Sequence, residues 1–258
     1  MNLTVLASGS KGNCLLIHDD CTTLLVDIGI STRRLKQELS KLNMHIEDVD
    51  GVLLTHEHND HVRGLKTLSK RYSLPIYTRS ATFRALPCLS EIPLACCHPL
   101  PTDNLTVGKF TIKSFSISHD AADPVGYCIY HHGNKQTKLT IATDLGYVSN
   151  LVAQALDNSN AIVLEANHDL NLLQRGPYPW SLKKRILGPK GHLANNTAAQ
   201  AINRLVQKPE QIILAHLSAK NNTPDIALNT ISQTLANAQN QDIAIHVASQ
   251  NEALNLTL

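Results

Sequence analysis

The segment HEHNDH, which begins at His56, concentrates side chains that bind metal ions in proteins. Its candidate ligands are His56, His58, Asp60 and His61. The segment follows the apolar run Gly51–Leu54, so we expect a loop at the end of a buried strand, where side chains can converge. Imidazole and carboxylate donors suit zinc, manganese or iron. A histidine-rich surface loop without metal is the alternative, and the spacing H-x-H-x-D-H at a strand end argues against it.

Three more residues of metal-binding type stand at the ends of predicted strands. They are His119 after Phe110–Ile117, Asp144 after Leu139–Thr143 and His216 after Gln211–Ala215. Because each follows an apolar strand, all three can face the cleft that holds the first segment.

The elements that must position these residues alternate between short strands and helices. The other predicted strands are Leu3–Ala7, Cys14–His18, Thr23–Asp27, Gly51–Thr55, Tyr127–Tyr130, Ala161–Glu165 and Ile243–Val247, and the predicted helices are Ser31–Leu42, Val62–Tyr72, Asn196–Val206 and Pro224–Ala238. Asn196 and Thr197 can cap the third helix, and Asp225 lies in the first turn of the fourth. Strand-rich halves closed by helices predict an α/β fold with two facing sheets and helices outside.

The ligand residues and their order resemble those of the metallo-β-lactamase superfamily. The resemblance implies an αββα sandwich of two facing mixed β-sheets with helices outside, built from residues 1–258 as one domain. It also implies two divalent metal ions, and zinc, manganese and iron all accept such ligands. The first ion would be held by His56, His58 and His119, the second by Asp60, His61 and His216, and Asp144 would bridge them.

Asp27, at the end of the predicted strand Thr23–Asp27, resembles the family's buried aspartate behind the ligands. Such a carboxylate accepts an imidazole N–H and thereby fixes the tautomer of a ligand histidine. A helix-capping or turn aspartate is the alternative for this position.

A two-metal site of this kind implies hydrolysis. Two cations about 3.5–4 Å apart can share a hydroxide ion and clamp the oxygens of a phosphate or a carbonyl group. Metal binding also lowers the pKa of the shared water towards neutrality.

Three features favour a phosphodiester substrate. Asp144 stands where the zinc β-lactamases carry a cysteine, and the segments Leu164–Asp169 and Lys190–Asn195 resemble two segments of ribonuclease Z. By that resemblance Glu165 would orient His192, which would protonate the leaving alkoxide as general acid. Glu165 and His192, together with Asp60 at the metal site, are therefore the candidate catalytic residues. A helix-capping glutamate and a surface-turn histidine are the alternatives for the pair.

The N-terminal segment ASGSKGNC, together with EANHD, GPYP and GHLAN, resembles the YycJ/WalJ-type branch of the superfamily. That branch is associated with 5′-to-3′ exonuclease activity on DNA, so the resemblance implies a nucleic acid substrate. Ser10, Asn13 and His168 are the candidate substrate contacts. The backbone N–H groups of the glycine-rich loop can approach an anion, or the loop is an ordinary hairpin. His168 is a substrate contact or an exposed histidine at a helix start.

Basic residues follow the segment EANHD, and they are Arg175, Lys183, Lys184, Arg185 and Lys190. We expect them near the cleft mouth, where they can contact phosphates. A helix over Ser181–Leu187 with a solvated basic face is the alternative. Tyr178 and Trp180 can stack on a base or pack their own turn.

Composition limits the choice of class only weakly. The chain has 258 residues, 43% hydrophobic content and a formal net charge of +2, so any attraction to polyanions must be local. The first twenty residues lack the pattern of a signal peptide, and no run is long enough for a membrane span. Six cysteines without a C-x-x-C pair predict free thiols and, with the absent signal, a cytoplasmic protein without a membrane partner.

Two other functions share part of this pattern. A glyoxalase II-like thioesterase would use the same ligands, and the Glu165–His192 pair is the feature against it. A binding protein that only holds metal would not need a general acid. The chain has no room for the β-CASP insertion of the long RNA- and DNA-processing nucleases of this superfamily. Pre-tRNA cleavage is not expected, because the chain has no glycine- and proline-rich arm of the kind that ribonuclease Z uses to grip transfer RNA.

Overall fold

Two seven-stranded β-sheets form the centre of the computed structural model, which describes residues 1–133, 136–237 and 243–258. The strands of the first sheet are β1 (Asn2–Ala7), β2 (Cys14–His18), β3 (Thr23–Val26), β4 (Gly51–Leu53), β5 (Ile76–Thr78), β6 (Cys97–Pro99) and β14 (Leu254–Thr257). Their order is β14-β1-β2-β3-β4-β5-β6. Pairing is antiparallel from β14 to β3 and parallel from β3 to β6, so the sheet is mixed.

The second sheet is also mixed. Its strands are β7 (Leu105–Val107), β8 (Phe110–Ser116), β9 (Val125–His132), β10 (Gln136–Ala142), β11 (Ala161–Glu165), β12 (Gln211–Ala215) and β13 (Ala244–Val247). Their order is β13-β12-β11-β10-β9-β8-β7, parallel from β10 to β13 and antiparallel from β7 to β10.

Helices connect and cover the strands. They are α1 (Thr32–Lys41), α2 (Asn59–Val62), α3 (Leu65–Tyr72), α4 (Ser80–Ala85), α5 (Asn150–Leu156), α6 (Leu170–Arg175), α7 (Trp180–Ile186), α8 (Asn195–Arg204) and α9 (Pro224–Asn237). Short 3₁₀ turns lie at Ile46–Asp48, Leu89–Glu91 and Leu94–Cys96.

Three apolar layers hold these elements together. Alternate side chains of a strand point to opposite faces of its sheet, and in β3 Leu24 and Val26 pack between the two sheets while Leu25 packs under the outer helices. In β11, Val163 likewise lies between the sheets and Ile162 and Leu164 lie under the helices of the second half. The layers confirm the predicted αββα sandwich with helices outside.

The apolar strands were predicted well, and the edge strands were not. Cys14–His18, Ala161–Glu165 and Gln211–Ala215 have the bounds expected from the sequence. The sequence analysis missed β6, β7 and β14, whose side chains are partly or fully exposed and therefore carry little hydrophobic pattern. Of the helix predicted to end at Ala238, the last residue lies outside the described residues.

Two predictions about helix ends were wrong. The helix expected over Val62–Tyr72 is interrupted at Gly64, because the backbone there lies against Ile28 and Ile30. The N-cap of α8 is Ala194 rather than Asn196 or Thr197, since Ala194 forms an extended bridge with His168 and the helix begins one residue later. Asp225 does lie in the first turn of α9, as predicted.

All six cysteines are free, as predicted, although three of them are buried and the other three are partly or fully exposed. Among residues 1–133, 136–237 and 243–258, no helix has the length and the apolar character needed to cross a membrane.

Three loops meet at Gly29, which lies between the N-terminal loop and the HEHNDH segment. The Gly29 N–H donates to Asn13 O, and the Asn13 N–H donates to Asp60 O, both at 2.8 Å. A Cβ atom at position 29 would lie 1.6 Å from Asp60 O and 2.5 Å from Asn13 N. Only glycine therefore allows these backbones to pack so closely.

We expect Gly29→Ala to lower the free energy of unfolding by about 2–3 kcal/mol, because backbone must move to admit the methyl group. Urea unfolding measures this change, and metal content of the purified protein reports the displaced Asp60 loop. Gly188→Ala is the matched control, since its new Cβ would have its nearest neighbour at 3.2 Å. Equal stability of the two variants would contradict the close packing at Gly29.

Candidate metal centre

The candidate ligands lie at one edge of the sandwich, where strands of both sheets end. In the first sheet, β3 and β4 are parallel, and in the second, β10, β11 and β12 are parallel. Parallel neighbours end at the same edge of a sheet, and open α/β sheets bind ligands in the crevice outside those ends. The residues at or just beyond these ends are Asp27, His56, His58, Asp60, His61, Asp144, Glu165 and His216, and His119 follows β8.

The first ligand cluster consists of His56, His58 and His119, whose metal-binding atoms lie within 4.8 Å of one another. His119 Nε2 lies 3.3 Å from His58 Nδ1, and His119 Nδ1 lies 3.2 Å from Gly191 O. A proton on Nδ1 therefore leaves the Nε2 lone pair of His119 facing the cluster. The buried His56 Nε2 has no hydrogen-bond partner among the described residues.

A second cluster consists of Asp60, His61 and His216. Asp60 Oδ2 lies 3.5 Å from His61 Nε2 and 3.4 Å from His216 Nε2. The Asn13 side-chain amide donates to the same Asp60 oxygen at 3.3 Å and so restrains the carboxylate.

Asp144 lies between the two clusters. Its Oδ2 is 3.2 Å from His61 Nε2, its Oδ1 is 3.2 Å from His216 Nδ1, and it forms a third metal-binding group with His56 and His61. Burial alone would raise the pKa of Asp144, but the surrounding imidazoles hold that pKa well below its usual range. The carboxylate is therefore charged and available to a cation.

Asp27 supports His61 from behind. Its Oδ2 lies 2.8 Å from His61 Nδ1, and it also accepts the Thr55 N–H and the Thr55 hydroxyl at 2.8 and 2.9 Å. If His61 donates its Nδ1 proton to Asp27, its Nε2 lone pair faces Asp60 and Asp144. The structure thus gives Asp27 the contact that the sequence resemblance implied.

Glu165 is fully buried at the end of β11 and has four hydrogen-bond partners. Its Oε1 lies 2.8 Å from His192 Nδ1 and 2.9 Å from His216 Nδ1, while Oε2 accepts the N–H groups of Leu145 and Leu193 at 3.0 Å. Burial alone would raise the pKa of Glu165, but His192 and His216 lower it to about 2. Glu165 therefore orients two imidazoles and caps no helix.

Three residues of the site have left-handed backbone conformations. Asp27, Asp144 and His216 have φ angles of 61°, 58° and 55° and follow β3, β10 and β12. Residues other than glycine adopt this region at a cost, and such residues concentrate at functional sites. The reversal of the backbone at each strand end directs the side chain into the shared crevice.

The side chains present fit a divalent cation. The Nε2 atom of His56 has no hydrogen-bond partner among the described residues, and His119 Nε2 lies against His58 Nδ1. The carboxylates of Asp60 and Asp144 lie against His61 and His216. Burial alone would lower the pKa of His216, but Asp144, Asp60 and Glu165 raise it to about 10. The carboxylates thus stabilise positive charge at this position, and a bound cation would supply that charge in place of the proton.

The three candidate substrate contacts have different positions. Ser10 is exposed and lines a cavity beside His192. Asn13 is buried and contacts Asp60 and His61 Nε2, the latter at 3.1 Å, so it lies behind the ligands instead of at the surface expected for a substrate contact. His168 is buried, which excludes an exposed helix start, and burial lowers its pKa to about 4.

Most amides of the glycine-rich loop are engaged within the protein. The N–H of Gly9 donates to Asn13 Oδ1, that of Lys11 to Gln250 Oε1 and that of Gly12 to Gly9 O. These groups are not available to an anion, contrary to the expectation from the sequence. The Ser8 hydroxyl instead accepts the His216 N–H at 2.7 Å, which ties this loop to the site.

The cavity beside His192 has a volume of about 250 Å³. Its walls are Ser10, Asp120, Asn167, Tyr178, Leu182, Arg185, Ile186, Gly191, His192 and Ser218. Of the basic residues expected at the cleft mouth, Arg185 lines this cavity, and its Nε donates to Asp120 Oδ2 at 2.6 Å. Asp120 was not among the site residues expected from the sequence, although its position directly after His119 is a signal that could have identified it.

An asparagine network behind the site was also missed. The Asn167 amide donates to His216 O, and the Asn222 amide donates to Ala166 O and to Asn195 Oδ1, each at 2.8 Å. Asparagine is common in turns, so the sequence offers no signal that separates these buried residues from ordinary turn residues.

Comparison with known proteins agrees with this geometry. Residues 22–217 match the family model described as a beta-lactamase superfamily domain. The chain is 40% identical to exodeoxyribonuclease YycJ from Bacillus anthracis over 238 residues, which cover 91% of this chain and 89% of that protein. The chain belongs to the YycJ/WalJ branch of the β-lactamase superfamily. The other YycJ/WalJ relatives include exodeoxyribonuclease WalJ from Streptococcus pneumoniae serotype 2, 35% identical over 98% of this chain and 96% of that one.

More distant members share parts of the chain or its fold. A stretch of 112 residues, 41% of this chain, is 45% identical to ribonuclease Z from Methanopyrus kandleri and covers 39% of that enzyme. The crystal structure of YhfI, a metallo-beta-lactamase fold protein from Bacillus subtilis, has a TM-score of 0.72 and 17% identity, with 99% of each chain covered. This YycJ/WalJ-branch protein is thus a metal-dependent hydrolase of the metallo-β-lactamase fold.

We expect Asp27→Asn to weaken binding of Zn²⁺ or Mn²⁺ by about 10–100-fold, because it removes the acceptor that fixes the His61 tautomer. Competition with a chromophoric chelator measures the affinity on folded protein. Asp50→Asn is the matched control, since Asp50 accepts the Thr23 N–H at 2.7 Å but belongs to none of the metal-binding groups. The same affinity in both variants would exclude this role for Asp27.

Proposed function

We propose that this protein is a two-metal phosphodiesterase that removes nucleotides from DNA in the 5′-to-3′ direction. The observation that carries the proposal is the Glu165–His192 pair, which lies directly beside both ligand clusters. Thioester hydrolysis has no need of such a pair, because a thiolate leaves without strong proton assistance. An alkoxide of a nucleic acid leaves poorly unless it receives a proton.

The proposed ligand sets follow the clusters. His56, His58 and His119 would hold the first ion, and Asp60, His61 and His216 would hold the second. Asp144 would stand between the two ligand sets. Zinc, manganese and iron suit these donors. When bound, the ions supply Lewis acidity and lower the pKa of a coordinated water towards neutrality.

His192 donates the proton to the leaving oxygen. Its Nδ1 is bound to Glu165, so the proton for transfer sits on Nε2, the ring atom on the other side. His192 also lines the cavity, and its ring centroid lies 5.2 Å from that of His119 and 5.3 Å from that of His216. A phosphate between the two clusters would therefore have its leaving oxygen next to this imidazole.

The cavity beside His192 receives the terminal nucleotide. The cavity has a volume of about 250 Å³ and lies directly beside the proposed general acid. Tyr178 offers a ring for the base, and Ser10 and Arg185 offer donors for the phosphate. The names of the YycJ and WalJ relatives, which are exodeoxyribonucleases, support removal of end nucleotides and DNA as substrate.

The whole chain, residues 1–258, is proposed to act as one domain, because the apolar layer between the sheets contains side chains from both halves. Six free cysteines support a reducing, cytoplasmic environment.

Digestion of end-labelled DNA tests the activity. We expect the protein loaded with Mn²⁺ or Zn²⁺ to release nucleotides from the 5′ end of duplex and single-stranded DNA, and His58→Ala to lose this activity together with metal. His98→Ala is a control, because His98 belongs to none of the metal-binding groups. If label were released first from the 3′ end, the proposed 5′-to-3′ direction would be wrong. Absence of cleavage of DNA and RNA by loaded protein, with hydrolysis of lactoylglutathione, would establish the thioesterase instead.

The leaving group tests His192. We expect His192→Ala to slow DNA hydrolysis by about 10²–10⁴-fold, because the alkoxide loses its proton donor. Hydrolysis of bis(p-nitrophenyl) phosphate should fall much less, since p-nitrophenolate leaves without a proton. Equal losses on the two substrates would show that His192 acts by positioning and not as the acid.

A further inference from the structure

A basic groove lies on the outside of the first half of the protein, where α1 meets α3. It has a volume of about 440 Å³. The nine residues that line it are Ser31, Thr32, Arg33, Lys36, Arg63, Gly64, Thr67, Arg71 and Tyr72. Four of these described residues are cations and none is a carboxylate, in a chain whose formal net charge is only +2. We call this feature the α1–α3 groove.

The four cations of the α1–α3 groove are exposed and unpaired. Within the described part of the chain, none of Arg33, Lys36, Arg63 and Arg71 makes an ion pair with a carboxylate. Neighbouring cations on the same helices behave differently. Lys41 on α1 pairs with Glu38, and Lys66 and Lys70 on α3 pair with Glu91. The groove therefore concentrates positive charge that no carboxylate of the described residues neutralises by an ion pair.

The remaining groups of the groove also suit phosphate. Arg33 and Lys36 are three residues apart on α1 and so share a face of the helix. The hydroxyl group of Thr67 lies among the cations. The Ser31 hydroxyl caps α1 by accepting the Arg34 N–H, and the Thr32 hydroxyl donates to Gly64 O. Contacts to the nucleic acid backbone come mainly from arginine, lysine and hydroxyl side chains and from helix N-termini, and α1 begins in this groove.

The groove adjoins the candidate metal centre through α2. Arg63 directly follows this short helix, which contains Asp60 and His61. The Gly64 N–H donates to Ile28 O at 2.8 Å, and the Ile28 N–H donates to His61 O at 2.7 Å, so the groove wall and the site are one packed unit. The groove lining therefore continues through Arg63 into the segment that carries Asp60 and His61.

We propose that the α1–α3 groove binds the phosphodiester backbone of the substrate several nucleotides away from the bond that is cut. The inference rests on the proposed function, because it concerns the same polyanionic substrate. In this proposal, two different parts of the protein bind the end of the strand and the rest of the strand. The cavity beside His192 holds the terminal nucleotide, and the groove holds the continuing strand without reading its sequence. Long nucleic acids should then bind better than single nucleotides.

Salt dependence tests the groove. The probe is a fluorescein-labelled duplex of about 30 base pairs with nuclease-resistant phosphorothioate ends, bound to the metal-loaded protein. Each phosphate contact adds about 0.9 to the slope of log affinity against log salt. We expect the variant R33Q/K36Q/R71Q to bind about tenfold or more weakly near physiological salt, and its slope to be smaller by about 2–3.

Two control variants separate charge from shape. R33K/R71K keeps the positive charges and should keep the slope of the wild type. R84Q/K113Q removes two exposed cations outside the groove and should also keep it. In steady-state kinetics, the triple variant should have a higher KM for DNA and nearly the same kcat. Its hydrolysis of bis(p-nitrophenyl) phosphate should change little.

The outcomes also separate this inference from the proposed function. If the wild type cuts DNA and the triple variant keeps its slope and KM, the groove is not the backbone site and the nuclease function stands. If the wild type cuts no nucleic acid but binds the duplex with a slope that falls in the triple variant, the groove stands and the nuclease function fails. If R84Q/K113Q lost as much affinity and slope as the triple variant, the proposal for the groove would be wrong. DNA would then bind through the positive charge of the whole surface.

Discussion

The candidate site depends above all on one buried carboxylate, Glu165. A buried charge is tolerated only when it is paired and fully hydrogen-bonded, and Glu165 has two imidazoles and two backbone N–H groups as partners. These partners belong to the loop after β10, the loop that contains His192 and the end of β12. A single side chain thus sets the relative positions of three loops that are far apart in the sequence.

The two sheets then bring the remaining groups to the same edge. Asp27 and the HEHNDH segment come from the first sheet, and Asp144, Glu165 and His216 come from the second. The apolar layer between the sheets contains side chains such as Val26, Leu53, Ile141 and Val163, all buried close to these strand ends. Because protein interiors are close-packed, this layer fixes how closely the ligands from the first sheet approach those from the second within each cluster.

Much of this site could be predicted from sequence, since its residues follow apolar strands whose pattern is local. The bounds of β11 and β12 were predicted from their unbroken apolar runs, and Glu165 and His216 were expected where they lie. The errors concern contacts between distant segments. The break at Gly64 arises from packing on Ile28, and the burial of Asn13 arises from its bond to Asp60. Neither leaves a periodic signal, because each depends on how separate loops meet.

The left-handed backbone at Asp27, Asp144 and His216 sets stability against activity in this fold. Each of these conformations costs a residue with a Cβ on the order of 1 kcal/mol or more, and glycine would adopt it freely. Replacing such a residue by glycine would relieve the backbone strain, but it would also remove a side chain of the candidate metal centre. Selection for thermostability alone would therefore favour glycine at these positions and remove side chains of the candidate site. The strained conformations at three strand ends would persist only under selection for function.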